Sequence, residues 1–124
     1  MIEDIGNRVS LEDGYRLAAV DALRLLDRIM AATDTGADEE SRHGCALALG
    51  TALLAVVQEY LERTSNDHDV ELFLEVNGRQ PEEMVAWSVN ILAGLRLRRI
   101  PTVEYRSICD SAVEVAARRL HSSS

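Results

Sequence analysis

The residue types that bind metals or move protons are few in this chain, and their spacing keeps them apart. Asp67-His68-Asp69 places three metal-ligating side chains in a row. Adjacent residues on a helix or turn rarely converge on one ion. No second His or Cys group stands at a spacing that would complete a tetrahedral site. The triplet reads instead as an exposed N-cap cluster. His43 and Cys45 lie two apart, on different faces of a helix, so no thiol–imidazole pair is made there. His121 falls in the C-terminal tail, and none of the three histidines stands where a general base would work. Glu40 and His43 make one Glu-x-x-His pair. A carboxylate-bridged dimetal bundle needs two such pairs and a glutamate from each of two further helices. With one pair, the reading is a first-turn acid beside a surface histidine, the alternative being a site shared across a dimer. No glycine-rich phosphate loop follows a strand. Asn90, polar within an apolar stretch, is expected in a buried hydrogen-bond network or as a register-setting residue. The sequence thus assigns no catalytic, cofactor-binding or metal-ligating residue.

All 13 basic residues are arginine. Arginine codons are GC-rich, which points to a high-GC bacterium or a virus of one. Arg96, Arg98, Arg99, Arg118 and Arg119 are the densest. If a short turn at Pro101 joins the helices that carry them, those helices are antiparallel and the two groups fall at opposite ends. That geometry and a net charge of −8 disfavour nucleic acid as a partner, which calls for a basic field. Cys45 and Cys109 sit in apolar patterns as small buried hydrophobes with free thiols, and two cysteines are too few for a disulfide scaffold. The opening Met-Ile-Glu-Asp-Ile-Gly lacks a charged-then-apolar leader, so the expected location is the cytoplasm.

The elements that position these residues centre on Gly44 to Val57, where only Thr51 has a polar side chain. Fourteen residues make a helix ~20 Å long, shorter than the ~20 apolar residues of a membrane span. A helix apolar all round in a soluble chain is buried on all sides, which makes this helix central. Its N-cap is Asp38, followed by Glu39 and Glu40 at the positive end of the helix dipole, and it runs to about Arg63. Upstream, Ser10 fits an N-cap, and Leu11, Tyr15, Ala18, Ala22, Leu25 and Ile29 form one apolar face of a first helix that ends near Thr33. Residues 1–9 and 121–124 read as flexible ends. The segment 70–76 is ambiguous: near-strict alternation favours a strand, but a lone strand would leave its backbone groups unpaired. The prediction is a short helix over 68–77 with Gly78 at its C′ position. Gln80-Pro81-Glu82-Glu83 signals a helix start with proline at N1. Pro101 ends that helix, and Thr102 caps the last, whose inner stripe is Tyr105, Cys109, Ala112, Val113, Ala116 and Leu120.

The expected fold is all-α: one domain over 1–124, a compact bundle of four long helices and one short one around the central apolar helix 2. The leading functional expectation is a non-enzymatic helical interaction protein, a homodimer that binds another protein through apolar helical surface. The candidate seams are the small side of helix 2 (Gly44, Ala48, Ala52 and Ala55) and the fourth helix (Trp87, Ile91 and Leu95). The rival expectation is a small-ligand or enzymatic bundle with a pocket near Tyr60, Trp87 and Asn90. A nucleic-acid-linked regulator is the third. No cofactor and no membrane contact are expected.

Overall fold

The computed structural model describes residues 2–34, 36, 38–78 and 83–122. These form five helices: α1 (Ile2–Ala32), α2 (Glu39–Thr64), α3 (Asp67–Asn77), α4 (Met84–Leu97) and α5 (Thr102–Ser122). The protein is an all-α bundle, as the helical periodicities require, and the ambiguous 70–76 segment is helix. Its backbone is satisfied within the segment, whereas a strand there would have had no partner.

Two layers make the bundle. In one, α1 and α5 lie side by side and run the same way: Asp21 meets Tyr105, and two turns on Arg28 meets Asp110. In the other, α2 and α4 are joined where Gly50 meets Trp87. Tyr60, near the end of α2, bonds Glu104, near the start of α5, so those two helices are antiparallel. The short α3 packs on α2 and α4, and α2 touches each of the other four helices. Ile29, Leu49, Leu53, Ile91, Leu92 and Leu95 are the largest fully buried side chains between the layers. By length and composition α2 could cross a membrane. In the bundle it supplies the core through Cys45, Ala46, Leu49, Leu53, Val57 and Leu61.

Local chemistry explains the element ends. The Asp38 carboxylate accepts from the Ser41 amide at 3.1 Å and from its hydroxyl at 2.7 Å. The Ser41 hydroxyl, then the amide, hold the Asp38 carboxyl below its ordinary value. α3 is capped one residue earlier than expected: Asn66 Oδ1, not Asp67, accepts from the Asp69 amide at 2.9 Å. Gly78 closes α3 in the right-handed region as the C-cap, its amide reaching the Leu74 carbonyl at 2.8 Å. The expected proline at N1, Pro81, lies outside the described residues. α4 begins at Met84, with Glu83 as an extended N-cap that makes no side-chain bond. Pro101 rather than Thr102 takes the N-cap role for α5, its carbonyl accepting from the Tyr105 amide at 2.9 Å. Arg99, at φ 56°, turns the chain between α4 and α5.

Four expectations need correction. α1 starts at Ile2 and passes through Ser10. Ile2, Ile5 and Val9 keep a three-and-four spacing of their own, and a serine inside a helix costs well under ~1 kcal/mol. Tyr15 is half exposed, because Leu97, the last residue of α4, meets α1 beside Gly14 and the cover ends there. Asn90 is exposed, on the side of α4 opposite Leu92 and Leu95. The buried polar residue of α4 is Ser88, whose hydroxyl has no partner among the described residues. Finally, α2 is not buried on all sides: Ala55 is exposed, and Gly44, Leu47, Ala48 and Leu54 are half-buried.

Candidate functional site

A concavity of about 670 Å³ opens along the α1–α5 seam where α4 ends. Parallel neighbours with a third helix stopping short behind them leave a groove that no described element fills. α1 contributes Leu17, Val20, Asp21, Arg24, Leu25 and Arg28 to its walls. α5 contributes Tyr105, Arg106, Cys109 and Asp110, and Arg96 and Ile100 close one end.

At the floor, Asp21, Arg96 and Tyr105 form one network drawn from three helices. Arg96 donates to Asp21 Oδ2 from Nη2 at 2.6 Å and from Nε at 3.2 Å. The Tyr105 hydroxyl donates to the same oxygen at 2.6 Å and accepts from Arg96 Nε at 3.3 Å. The Arg96 guanidinium also lies over the Tyr105 ring, 4.7 Å from its centroid, a cation–π placement. Burial, followed by the bond to Asp21, pushes the Tyr105 hydroxyl well above its ordinary value. Burial, reinforced by the Asp21 and Asp110 charges, pushes the Cys109 thiol up to about 12. Both groups therefore carry their protons at neutral pH, and a protonated thiol is a poor nucleophile. The arrangement locks three helices together and lines the groove with guanidinium groups.

The charge in the groove has the opposite sign to the protein's. Four arginines line it against two aspartates, in a chain of net charge −8. Asp21 engages Arg96, and Asp110 engages Arg28 at 3.0 Å. Arg24 and Arg106 remain, one on each wall, and neither makes an ion pair among the described residues. Beside them stand Leu17 and Val20, each more than two-fifths exposed.

A smaller cleft of about 310 Å³ lies on the other side of α5, lined by Val56, Tyr60, Arg63, Thr64, Glu104, Ser107, Ile108 and Ser111. The bond to Glu104 is the main cause that raises the Tyr60 hydroxyl above its ordinary value.

The residues singled out from sequence are dispersed. Trp87, Ile91, Leu95 and Ala52 are buried within one chain. Gly44 and Ala48 are half-buried and Ala55 exposed. Tyr60 lines the smaller cleft, whose walls include neither Trp87 nor Asn90. Trp87 packs on Gly50, ten residues and about 15 Å along α2 from Tyr60. Its indole nitrogen donates to the Asn77 carbonyl at 2.6 Å. Glu40, His43, Asp67 and His68 are exposed, and no group of three His, Cys, Asp or Glu side chains among the described residues could hold a metal. Arg96, Arg98 and Arg99 lie at the turn into α5, and Arg118 and Arg119 near its far end. Sequence reasoning missed Asp21 and Arg106. A usable signal was present for Asp21: an acid at the edge of the α1 stripe, and a tyrosine hydroxyl on the inner stripe of α5 in need of a partner.

Comparison with protein-family models, with curated proteins and with solved structures finds no match to this chain.

Proposed function

We propose that this is a non-enzymatic helical interaction protein that works in the cytoplasm by associating through apolar helical surface, with a second copy of itself as the first partner and a homodimer as the smallest assembly. One observation carries the reading. Leu17, Val20 and Leu23 on the outer side of α1 are 41–47% exposed, and Leu97 and Val103 add to them near the α4–α5 turn. Isolated exposed hydrophobes are ordinary, but a concentration of them on one element marks an interaction surface. The seam moves accordingly from α4, whose Trp87, Ile91 and Leu95 are used inside the chain, to the outer side of α1. The chemistry at the groove is in keeping with binding: the acid, the guanidinium and the phenol at its floor satisfy one another.

Sedimentation equilibrium of the wild-type chain across the micromolar range tests this. The expected result is a mass that rises above 13.7 kDa with concentration and falls back when Val20→Asp and Leu23→Asp are combined. A wild-type mass fixed at 13.7 kDa over that range refutes self-association.

A further inference from the structure

The outer face of α3 is the chemical complement of the α1–α5 groove. Val70 and Phe73 turn inward, while Glu71, Leu72, Glu75 and Val76 face solvent. Leu72 is 45% and Val76 69% exposed, and neither glutamate makes an ion pair among the described residues. Two acids one turn apart, flanked by two aliphatic side chains, form an acidic amphipathic stripe. The groove offers the reverse pattern: Arg24 and Arg106, with no ion partner among the described residues, next to exposed Leu17 and Val20. The dimensions agree as well. α3 has 11 residues, about 16 Å at 1.5 Å per residue. The α1 wall of the groove, Leu17 to Arg28, spans the same length.

We infer that α3 of one chain docks in the α1–α5 groove of another, Glu71 and Glu75 meeting Arg24 and Arg106 while Leu72 and Val76 cover Leu17 and Val20. This rests on the self-association proposed above and names both surfaces. Its geometry differs from a two-fold dimer. α3 packs on the α2–α4 layer, and the groove opens on the α1–α5 layer, so the two surfaces lie on different sides of the chain. A contact between two different surfaces is head-to-tail, and it continues into a ring or an open chain. Two charge pairs at a solvent-exposed rim are weakened by salt, since screening acts within ~8 Å at physiological ionic strength. An interface built on one three-turn helix falls at the small end of the size range, near ~1,200 Å², so it is weak and concentration-dependent.

The test uses two double variants, all four positions being exposed or lining the open groove. Arg24→Glu with Arg106→Glu blocks the groove, and Leu72→Asp with Val76→Asp blocks α3. Circular dichroism first establishes that each keeps the wild-type helix content and melting temperature. Sedimentation velocity at low salt is then run on wild type, on each variant, and on an equimolar mixture. Wild type is expected to form species beyond a dimer as concentration rises, with association weakened at least ~10-fold in each variant alone, about 1.4 kcal/mol. The mixture retains one working α3 and one working groove, so it forms a dimer of about twice 13.7 kDa and nothing larger. A wild type that associates while either variant associates equally well overturns the α3–groove contact and leaves self-association standing. A mixture that stays monomeric, or that grows past a dimer, also overturns the contact. A wild type that is monomeric throughout overturns both proposals.

Discussion

Gly50→Ala tests the joint between α2 and α4 with a single methyl group. A Cβ at position 50 would lie 2.4 Å from Trp87 Cε3, 3.0 Å from Cδ2 and 3.1 Å from Cζ3. Carbon atoms pack best at ~3.5–4.0 Å, so the indole must retreat by about 1 Å. It has little room to do so. Trp87 is 4% exposed and tied by its Nε1 to the Asn77 carbonyl at 2.6 Å, so a retreat strains α4 or breaks that bond. Overpacking of this kind costs ~1–3 kcal/mol, and loss of the indole bond adds ~0.5–1.5 kcal/mol. Against these, alanine is better than glycine inside a helix by ~1 kcal/mol. The net is a destabilisation of about 2 kcal/mol, or roughly 5–10 °C in melting temperature for a domain of this size. Gly44 and Gly94 are the internal controls, because a Cβ at either meets nothing within 4 Å. Alanine there should stabilise by ~0.4–1 kcal/mol. Thermal melts followed at 222 nm, with urea titrations for the free energies, compare the three. If Gly50→Ala melts with or above Gly44→Ala, the close approach of Trp87 is wrong.

Ser88→Ala should be neutral or stabilising by up to ~1 kcal/mol in urea titrations, since it removes a buried hydroxyl that has no partner among the described residues; any measurable loss of stability would reveal a bond to Ser88. Asp21→Ala should cost ~1–2 kcal/mol by the same measurement, because it leaves Arg96 and Tyr105 without their shared, part-buried acceptor. Arg28→Ala, which removes an exposed pair with Asp110, should cost under ~0.5 kcal/mol, and equal costs for the two would contradict the burial difference. The Cys109 thiol gives a pH dependence of definite sign. Its ordinary value is 9.0 and the folded value is about 12, so its contribution is fully present below pH 9. It is lost between pH 9 and about 12, as the unfolded thiol ionises and the folded one does not. Stability measured by denaturant at a series of alkaline pH values should fall in that window by at most ~1.4 kcal/mol per pH unit from this group, and Cys109→Ala should flatten the slope. An unchanged slope in the variant would mean that the thiol is not held protonated.

Much of the architecture was legible in local sequence. The apolar run at Gly44 to Val57, the Asp38 cap and the Pro101 break place α2 and α5 within a residue or two, because caps and breakers act on their own backbone, whereas α4, from Met84 to Leu97, is shorter than the segment between Pro81 and Pro101. The inner stripes of α1 and α5 were also readable, as Ala18, Ala22, Leu25 and Ile29, and Cys109, Ala112 and Ala116, show by their burial. Where α1 begins was not, because Ser10 is compatible both with a cap and with a helix interior.

What the sequence determined by itself is the helical class and most of the inward stripes of α1 and α5, since both follow from a 3.6-residue period written into one segment at a time. It could not determine how the helices are paired. Only the tertiary structure sets α1 parallel to α5, which brings Asp21, Arg96 and Tyr105 together across 75 to 84 residues of chain and leaves Arg24 facing Arg106 across a groove. It alone uses Trp87, Ile91 and Leu95 inside the chain. On the inner stripe of α1 the length of a neighbour decides: Ala18, Ala22, Leu25 and Ile29 are buried and Tyr15 is exposed, because α4 stops at Leu97 beside Gly14. Where a cover ends depends on contacts between distant segments, and no periodicity within one segment records it.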